Sequence, residues 1–266
     1  MKKLNLLIIL FITISCKENI NKNKKTPENN CKSEKIESVF LKQYLIKTDS
    51  CNTFKEFPKV EYFFKEKILM TGFSERNYKQ GKWSFFDKKG IEKTSGIFEN
   101  SQPKGIWNFK DLKTINWKLF DDKDEKYIIS APSDWFYFGV ENAESYGVLD
   151  KYSKDGNDYN LKLVITSYKL DELDENVNEL YNRTLKEFKN NFTEIKSKKV
   201  DISEFNEVYE IQSVELNNGK RYLNTELIYS FKDRFYLISI SIDEKANYEY
   251  SIIKEIMETS FKVYTN

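Results

Sequence analysis

The side chains in this chain best suited to chemistry are carboxylates set close together. Asp121-Asp122-Lys123-Asp124-Glu125 and Asp155-Gly156-Asn157-Asp158 each gather enough oxygen to suggest a hard cation or shared acid–base work. The first run lacks the glycine and the distant glutamate of an EF-hand loop, so it reads as a solvated linker. The second has turn composition and reads as a connection between two strands, with calcium as the rarer use. Asp171, Glu172, Asp174 and Glu175 form a third group, at what the spacing predicts is the start of a helix. Negative charge there meets the positive end of the helix dipole, which is role enough. A glycosidase-type carboxylate pair needs a set separation that sequence does not give. No residue is therefore assigned to catalysis, and neither a metal nor a cofactor is expected.

Other chemistries are removed by absence. The 266 residues include no His, so the usual general base near neutral pH and the commonest metal ligand are missing. Ser-His and Cys-His nucleophile arrangements go with it. The three cysteines are Cys16, Cys31 and Cys51. Cys31 and Cys51 enclose 19 residues, and in an oxidising compartment they can form a disulfide. A loop of that order would stabilise by roughly 3 kcal/mol in the chain-entropy account. Whether the geometry allows the bond or leaves two thiols is open at this stage.

Cys16 has a context of its own. Lys2 and Lys3 precede an apolar run from Leu4 to Ile14 that ends at Ser15-Cys16. A charged start, a short apolar middle and a small residue at the break are the layout of an export signal. The run is well short of the roughly 20 residues needed to span a bilayer. The arrangement resembles the lipobox of bacterial lipoproteins, although Thr13 stands where that family usually has Leu. The resemblance implies cleavage after residue 15 and a diacylglycerol thioether on Cys16. The alternative is a plain secretory signal with an incidental cysteine. Lys17-Glu18 slightly resembles the start of surface-exported lipoproteins. The expected location is the cell envelope, lipid-anchored on the periplasmic side or the cell surface, with the outer membrane favoured.

Charge adds little. Lys and Arg number 43 and Asp and Glu 42, a net of +1 that becomes −1 once Lys2 and Lys3 are removed. Such balance provides no field for nucleic acid. The expected partners are the membrane, through lipid on Cys16, and an unidentified protein or envelope component.

The elements that would position any site fall into regions. Residues 16–57 begin polar and rich in Asn and Lys, as expected of a flexible tether between lipid and cargo. Residues 58–120 contain a repeat: Gly81-Lys82-Trp83-Ser84-Phe85 returns 24 residues later as Gly105-Ile106-Trp107-Asn108-Phe109, and Thr71-Gly72-Phe73 returns as Ser95-Gly96-Ile97. With the turn signal Asp87-Lys88-Lys89-Gly90, each unit reads as a β-hairpin. Gly81, Gly96 and Gly105 would allow close backbone approach or positive φ. Trp83 and Trp107 would fall on one face and pack. These units, with a degenerate third near Trp117 to Phe120, resemble the MORN-repeat variants of bacterial secreted proteins, some described as antitoxin components.

Residues 126–266 read differently. Tyr127 to Trp135 is a strand entering a Pro turn, and Leu161 to Tyr168 a second strand. Leu173, Val177, Leu180, Tyr181, Leu185, Phe188 and Phe192 predict an amphipathic helix near 172–192. Phe205–Leu216 and Arg221–Phe231 flank the hairpin signal Asn217-Asn218-Gly219-Lys220. Phe235–Ile242 alternates with one buried face, and a last helix leads to Ser260-Phe261. This order, with Ala131-Pro132-Ser133-Asp134-Trp135 and Ile256-Met257-Glu258-Thr259-Ser260-Phe261, resembles the PsbP-like fold. The expected class is α+β: a short β-hairpin repeat unit, then a PsbP-like α/β/α sandwich with an antiparallel sheet, separable near Asp121 to Lys126.

Three functions fit. The first is a non-enzymatic, lipid-anchored module binding a protein or envelope component. The second is a protein of immunity type that sequesters a small molecule, lipid or toxin. The third is a hydrolase using carboxylates alone. An exposed apolar groove would favour the first, an enclosed apolar cavity the second, and two convergent carboxylates with perturbed pKa the third.

Overall fold

A computed structural model of the chain describes residues 33–37, 45–54, 57–64, 66–76, 78–112, 114–140, 145–150, 159–172, 175–200, 207–246 and 248–263. Cys16, Cys31 and Asp155-Gly156-Asn157-Asp158 lie outside the described residues, and Cys51 is described in its backbone alone. The fold is α+β. Seven strands pair in chain order as one antiparallel sheet: β1 (Ser33–Glu37), β2 (Leu45–Phe54), β3 (Phe57–Phe64), β4 (Lys67–Glu75), β5 (Tyr78–Phe86), β6 (Glu92–Glu99) and β7 (Gln102–Lys104). β1 and β2 fall inside the stretch expected to be tether, so that expectation is corrected: the meander starts upstream of residue 58.

The repeat has a physical basis in glycine–tryptophan pairs. A Cβ at Gly72 would stand 2.3 Å from the Trp83 indole, and one at Gly96 only 1.8 Å from that of Trp107. Each indole thus lies flat against backbone that only glycine leaves bare. Gly81 and Gly105 hold the same repeat position, with φ of +63° and +70°. Both indoles are fully buried and are bridged by Phe98, whose ring centroid lies 6.3 Å from Trp83 and 5.1 Å from Trp107 in edge contacts. Trp117 continues the stack, 5.9 Å from Trp107.

β8 (Ile106–Trp107), β9 (Ile115–Asp122) and β10 (Tyr127–Pro132) carry the chain out of the repeat. There follow β11 (Phe136–Val140), β12 (Ser145–Leu149), β13 (Leu161–Lys169), α1 (Val177–Asn191), β14 (Thr193–Val200), β15 (Glu207–Asn217), β16 (Lys220–Phe231), β17 (Arg234–Asp243), α2 (Tyr248–Ser260) and β18 (Lys262–Val263). The second large sheet runs β11-β12-β13-β17-β16-β15-β14, antiparallel throughout, and a small sheet runs β18-β10-β9-β8. β15 and β16 join through Asn218 (φ +49°) and Gly219 (φ +76°), the paired positive φ of a two-residue hairpin turn.

The sheet separates the helices. Leu161, Leu163 and Ile165 of β13, Leu227 and Tyr229 of β16, and Tyr236, Ile238, Ile240 and Ile242 of β17 share one cluster with Ile252, Ile253, Ile256 and Met257 of α2. Ile228, Phe235 and Tyr209 point the other way, onto Val177 and Leu180 of α1. The first cluster also holds Trp83, Phe98, Trp107 and Trp117, so one core spans the repeat and the second sheet.

Two expectations change here. The boundary near Asp121 to Lys126 is a β-hairpin that pairs Asp122 with Tyr127 rather than a linker. Glu125 accepts from Arg234 at 2.5 Å and from the Ser167 hydroxyl, which ties the turn to the second sheet. The helix near 172–192 begins at Val177, because Asn176 caps it. The Asn176 side chain accepts from the backbone of Asn178 and Glu179, both at 3.1 Å, and Glu179 accepts from the Asn176 backbone N–H at 2.8 Å. Leu170–Glu172 is a turn of 3-10 helix, and Leu173 lies outside the described residues.

Candidate functional site

Cross-strand register builds the site. On the α1 side of the sheet, Lys162 of β13 is paired with Ser241 of β17, Ser241 with Asn224 of β16, and Asn224 with Ser213 of β15. One step along, Val164 meets Ser239, Ser239 meets Glu226, and Glu226 meets Ile211. The next step is apolar, with Leu237, Ile228 and Tyr209, and α1 lies over it. The helix therefore covers the apolar rows and ends where the polar rows begin. Its last turn and the C-cap residue after it bring Phe188 and Phe192, centroids 4.7 Å apart, over that polar floor. The result is a cleft of about 270 Å³ lined by these rings, Tyr159, Glu215 and the floor residues.

A hydrogen-bonded chain crosses the cleft. The Tyr159 hydroxyl donates to Ser241 at 3.1 Å, Ser241 to the Asn224 carbonyl oxygen at 2.6 Å, and the Asn224 amide to Glu215 at 3.2 Å. Tyr159 packs on fully buried Tyr222 at 4.7 Å, and burial pushes its hydroxyl up to about 12, so it stays protonated. Glu226 is 8% exposed, with the Ser239 hydroxyl donating to it. Burial raises its carboxyl to about 8 against the opposing pull of Ser239 and Lys162. At neutral pH it therefore carries a proton and can both donate and accept. The Ser213 hydroxyl, beside Asn224, is buried without a hydrogen-bond partner.

Among the described residues, Glu215 and Glu226 are the two carboxyls of the cleft. Their ladder partners, Tyr222 and Ile211, show that they lie four positions apart, roughly 13 Å along the strands. Asn224 stands between them, so they form a polar floor rather than a facing acid–base pair.

None of the described carboxylates singled out in the sequence lines this cleft. Asp121 to Glu125 form the hairpin held by Arg234. Glu175 binds Arg183 at 2.6 Å, and that hydrogen bond lowers its pKa. Asp171 is exposed, and Asp174 lies outside the described residues. A second charged cluster, Lys93 with Asp111 (2.5 Å), Glu249 (3.2 Å) and Asp87 (3.9 Å), fastens the repeat to α2. Among the described residues no group of three or more acidic, Cys or His side chains is placed to hold a metal, and no helix is long and apolar enough to cross a membrane.

The cleft residues were missed because they come from four strands. A signal was present: Asn224 and Glu226 stand two residues apart in a strand that also carries Leu223, Leu227 and Ile228, as Ser239 and Ser241 do among the isoleucines of the next. The sequence shows that second alternation only through its buried apolar face; the structure roofs the serine face with the end of α1.

The fold is similar to those of several solved structures. A protein from Bacteroides thetaiotaomicron is 14% identical with a TM-score of 0.40, over 56% of this chain and 49% of its own. The chain thus spans about half the length of that protein. Cyanobacterial PsbP from Synechocystis is 12% identical with a TM-score of 0.40, covering 59% of this chain and 98% of that one. LpqN of Mycobacterium tuberculosis, described as involved in cell envelope biogenesis, is 12% identical with a TM-score of 0.39, over 57% and 92%. No described family and no curated protein matches the sequence.

Proposed function

We propose that this protein is a non-enzymatic binding module, held at the cell envelope by lipid on Cys16, whose binding site is the cleft at the end of α1. The observation that carries this reading is the cleft's construction. Its floor is a row of hydrogen-bonding groups from β13, β16 and β17, its walls are aromatic, and its two carboxyls do not face one another. Such a surface recognises rather than reacts. The repeat, with its resemblance to MORN variants, serves as a platform stiffened by the glycine–tryptophan pairs and locked to α2.

The test uses the full chain in its native envelope. A photo-crosslinking residue at Phe192 should capture an envelope component that the same residue at exposed Lys110 does not. Wild type should fractionate with membranes and Cys16→Ser should be released. Equal capture from both positions, or a wild type found free of membrane and lipid, would overturn the proposal.

A further inference from the structure

We infer that the cleft at the end of α1 takes one neutral sugar ring, free or at the end of an envelope glycan. The inference rests on the cleft being a binding site, as proposed above, and four observations narrow the ligand.

The walls are the first. Phe188, Phe192 and Tyr159 present ring surfaces, and the C–H face of a sugar is the polar molecule's one apolar side. The floor is the second. Asn224, Ser239, Ser241 and Glu226 offer an amide, two hydroxyls and a carboxyl, groups that both donate and accept. Their separation is set by the sheet, roughly 5 Å between strands and 7 Å between alternate residues, comparable to the span of hydroxyls across a six-membered ring.

Charge is the third. Among the described residues the titratable groups around the floor are Lys162 on β13, Glu215 on β15, Glu226 on β16 and Tyr159 before β13; α1 and its C-cap contribute only Phe188 and Phe192. Lys162 and Glu215 cancel, while Glu226 and Tyr159 are neutral near pH 7. An anion would have to approach Glu215 and a cation would have to approach Lys162, each giving up hydration without an unopposed partner. A neutral polyol avoids both costs. Size is the fourth: about 270 Å³ lies just under the roughly 300–1,000 Å³ of drug-sized sites, room for a single ring. A lipid chain would strip water from this polar floor and offer it no hydrogen bond in return.

The experiment is calorimetric titration of the full-length protein with glucose, galactose and N-acetylglucosamine, and with inorganic phosphate and spermidine as charged probes. At least one neutral sugar should bind in the millimolar range or tighter, while phosphate and spermidine should not. Asn224→Ala, from the floor, and Phe192→Ala, from the half-buried end of α1, should each weaken binding at least tenfold with the circular dichroism spectrum preserved. Affinity should fall as pH rises through about 8, where Glu226 loses its proton, and Glu226→Gln should flatten that profile. Methyl glycosides separate the sources: binding equal to the parent sugar supports a glycan end, and lost binding supports a free sugar. Binding of phosphate or spermidine in place of sugars would overturn the inference, as would sugar binding untouched by Asn224→Ala. If Phe192 still crosslinks an envelope component while no sugar binds, the inference fails and the proposed function stands.

Discussion

Gly72 and Gly96 show how a single missing methyl group can set the spacing of a whole repeat. Each leaves room for an indole that would otherwise meet a Cβ at 2.3 Å or less. Backbone and a fully buried ring have nowhere to move, so Gly96→Ala should destabilise by roughly 3 kcal/mol or more, the upper part of the overpacking range. Gly139→Ala is the matched control: a Cβ there meets nothing within 4 Å, and the change should stay within about 0.5 kcal/mol. Urea unfolding of the two variants measures both, and equal midpoints would show that Trp107 is free to shift. This pairing was half legible. The 24-residue offset of both Trp and Gly is plain in the sequence, but that Gly72 serves Trp83 and Gly96 serves Trp107, each eleven residues on, needs the sheet. Glu226 was not legible at all. A glutamate in a strand looks solvated until the register puts Ser239 opposite it and α1 above.

The elements follow the same rule: local chemistry reads well and coverage reads poorly. β15, β16 and β17 were visible because alternation and Asn218-Gly219 are local signals. α1 was visible as an apolar stripe, but its start was set five residues early, since Leu173 fits the period and the acidic residues before Val177 mimic a first turn. The cap decides the start. Asn176 and Glu179 form a reciprocal capping box, and Glu175 is drawn outward to Arg183. Asn176→Ala should cost about 1 kcal/mol, read as a lower urea midpoint by far-ultraviolet circular dichroism. No change would mean that packing of Val177 and Leu180 alone fixes the helix. The short strands β8 and β18, of two residues each, carry no periodicity and exist only because β9 and β10 are there to receive them.

At the scale of the molecule, the expected division near Asp121 to Lys126 gives way to one core. Gln102 donates to the Ser260 carbonyl at 2.6 Å and accepts from the buried Ser130 hydroxyl at 2.7 Å, while Lys93 reaches the buried Glu249. A fragment spanning Lys126–Asn266 would leave these groups unpaired and open the cluster that Ile253, Ile256 and Met257 share with the repeat. It should fail to unfold cooperatively, whereas the full chain should show one transition in urea for residues 33–263; a sharp transition in the fragment would restore the two-unit reading. The sequence misled here because each half has its own apolar pattern, and nothing local reveals that both patterns meet in one cluster with α2. The placement of the four tryptophans has a further, practical consequence. Trp83, Trp107, Trp117 and Trp135 all sit in the cluster shared with α2, and the α1 cluster has none. Intrinsic indole emission is therefore a one-sided lamp: it reports on the seam between the repeat and the second sheet and is dark to α1. An event at the cleft has to be followed through tyrosine or a label, and indole light that stays constant there is no sign that nothing has bound.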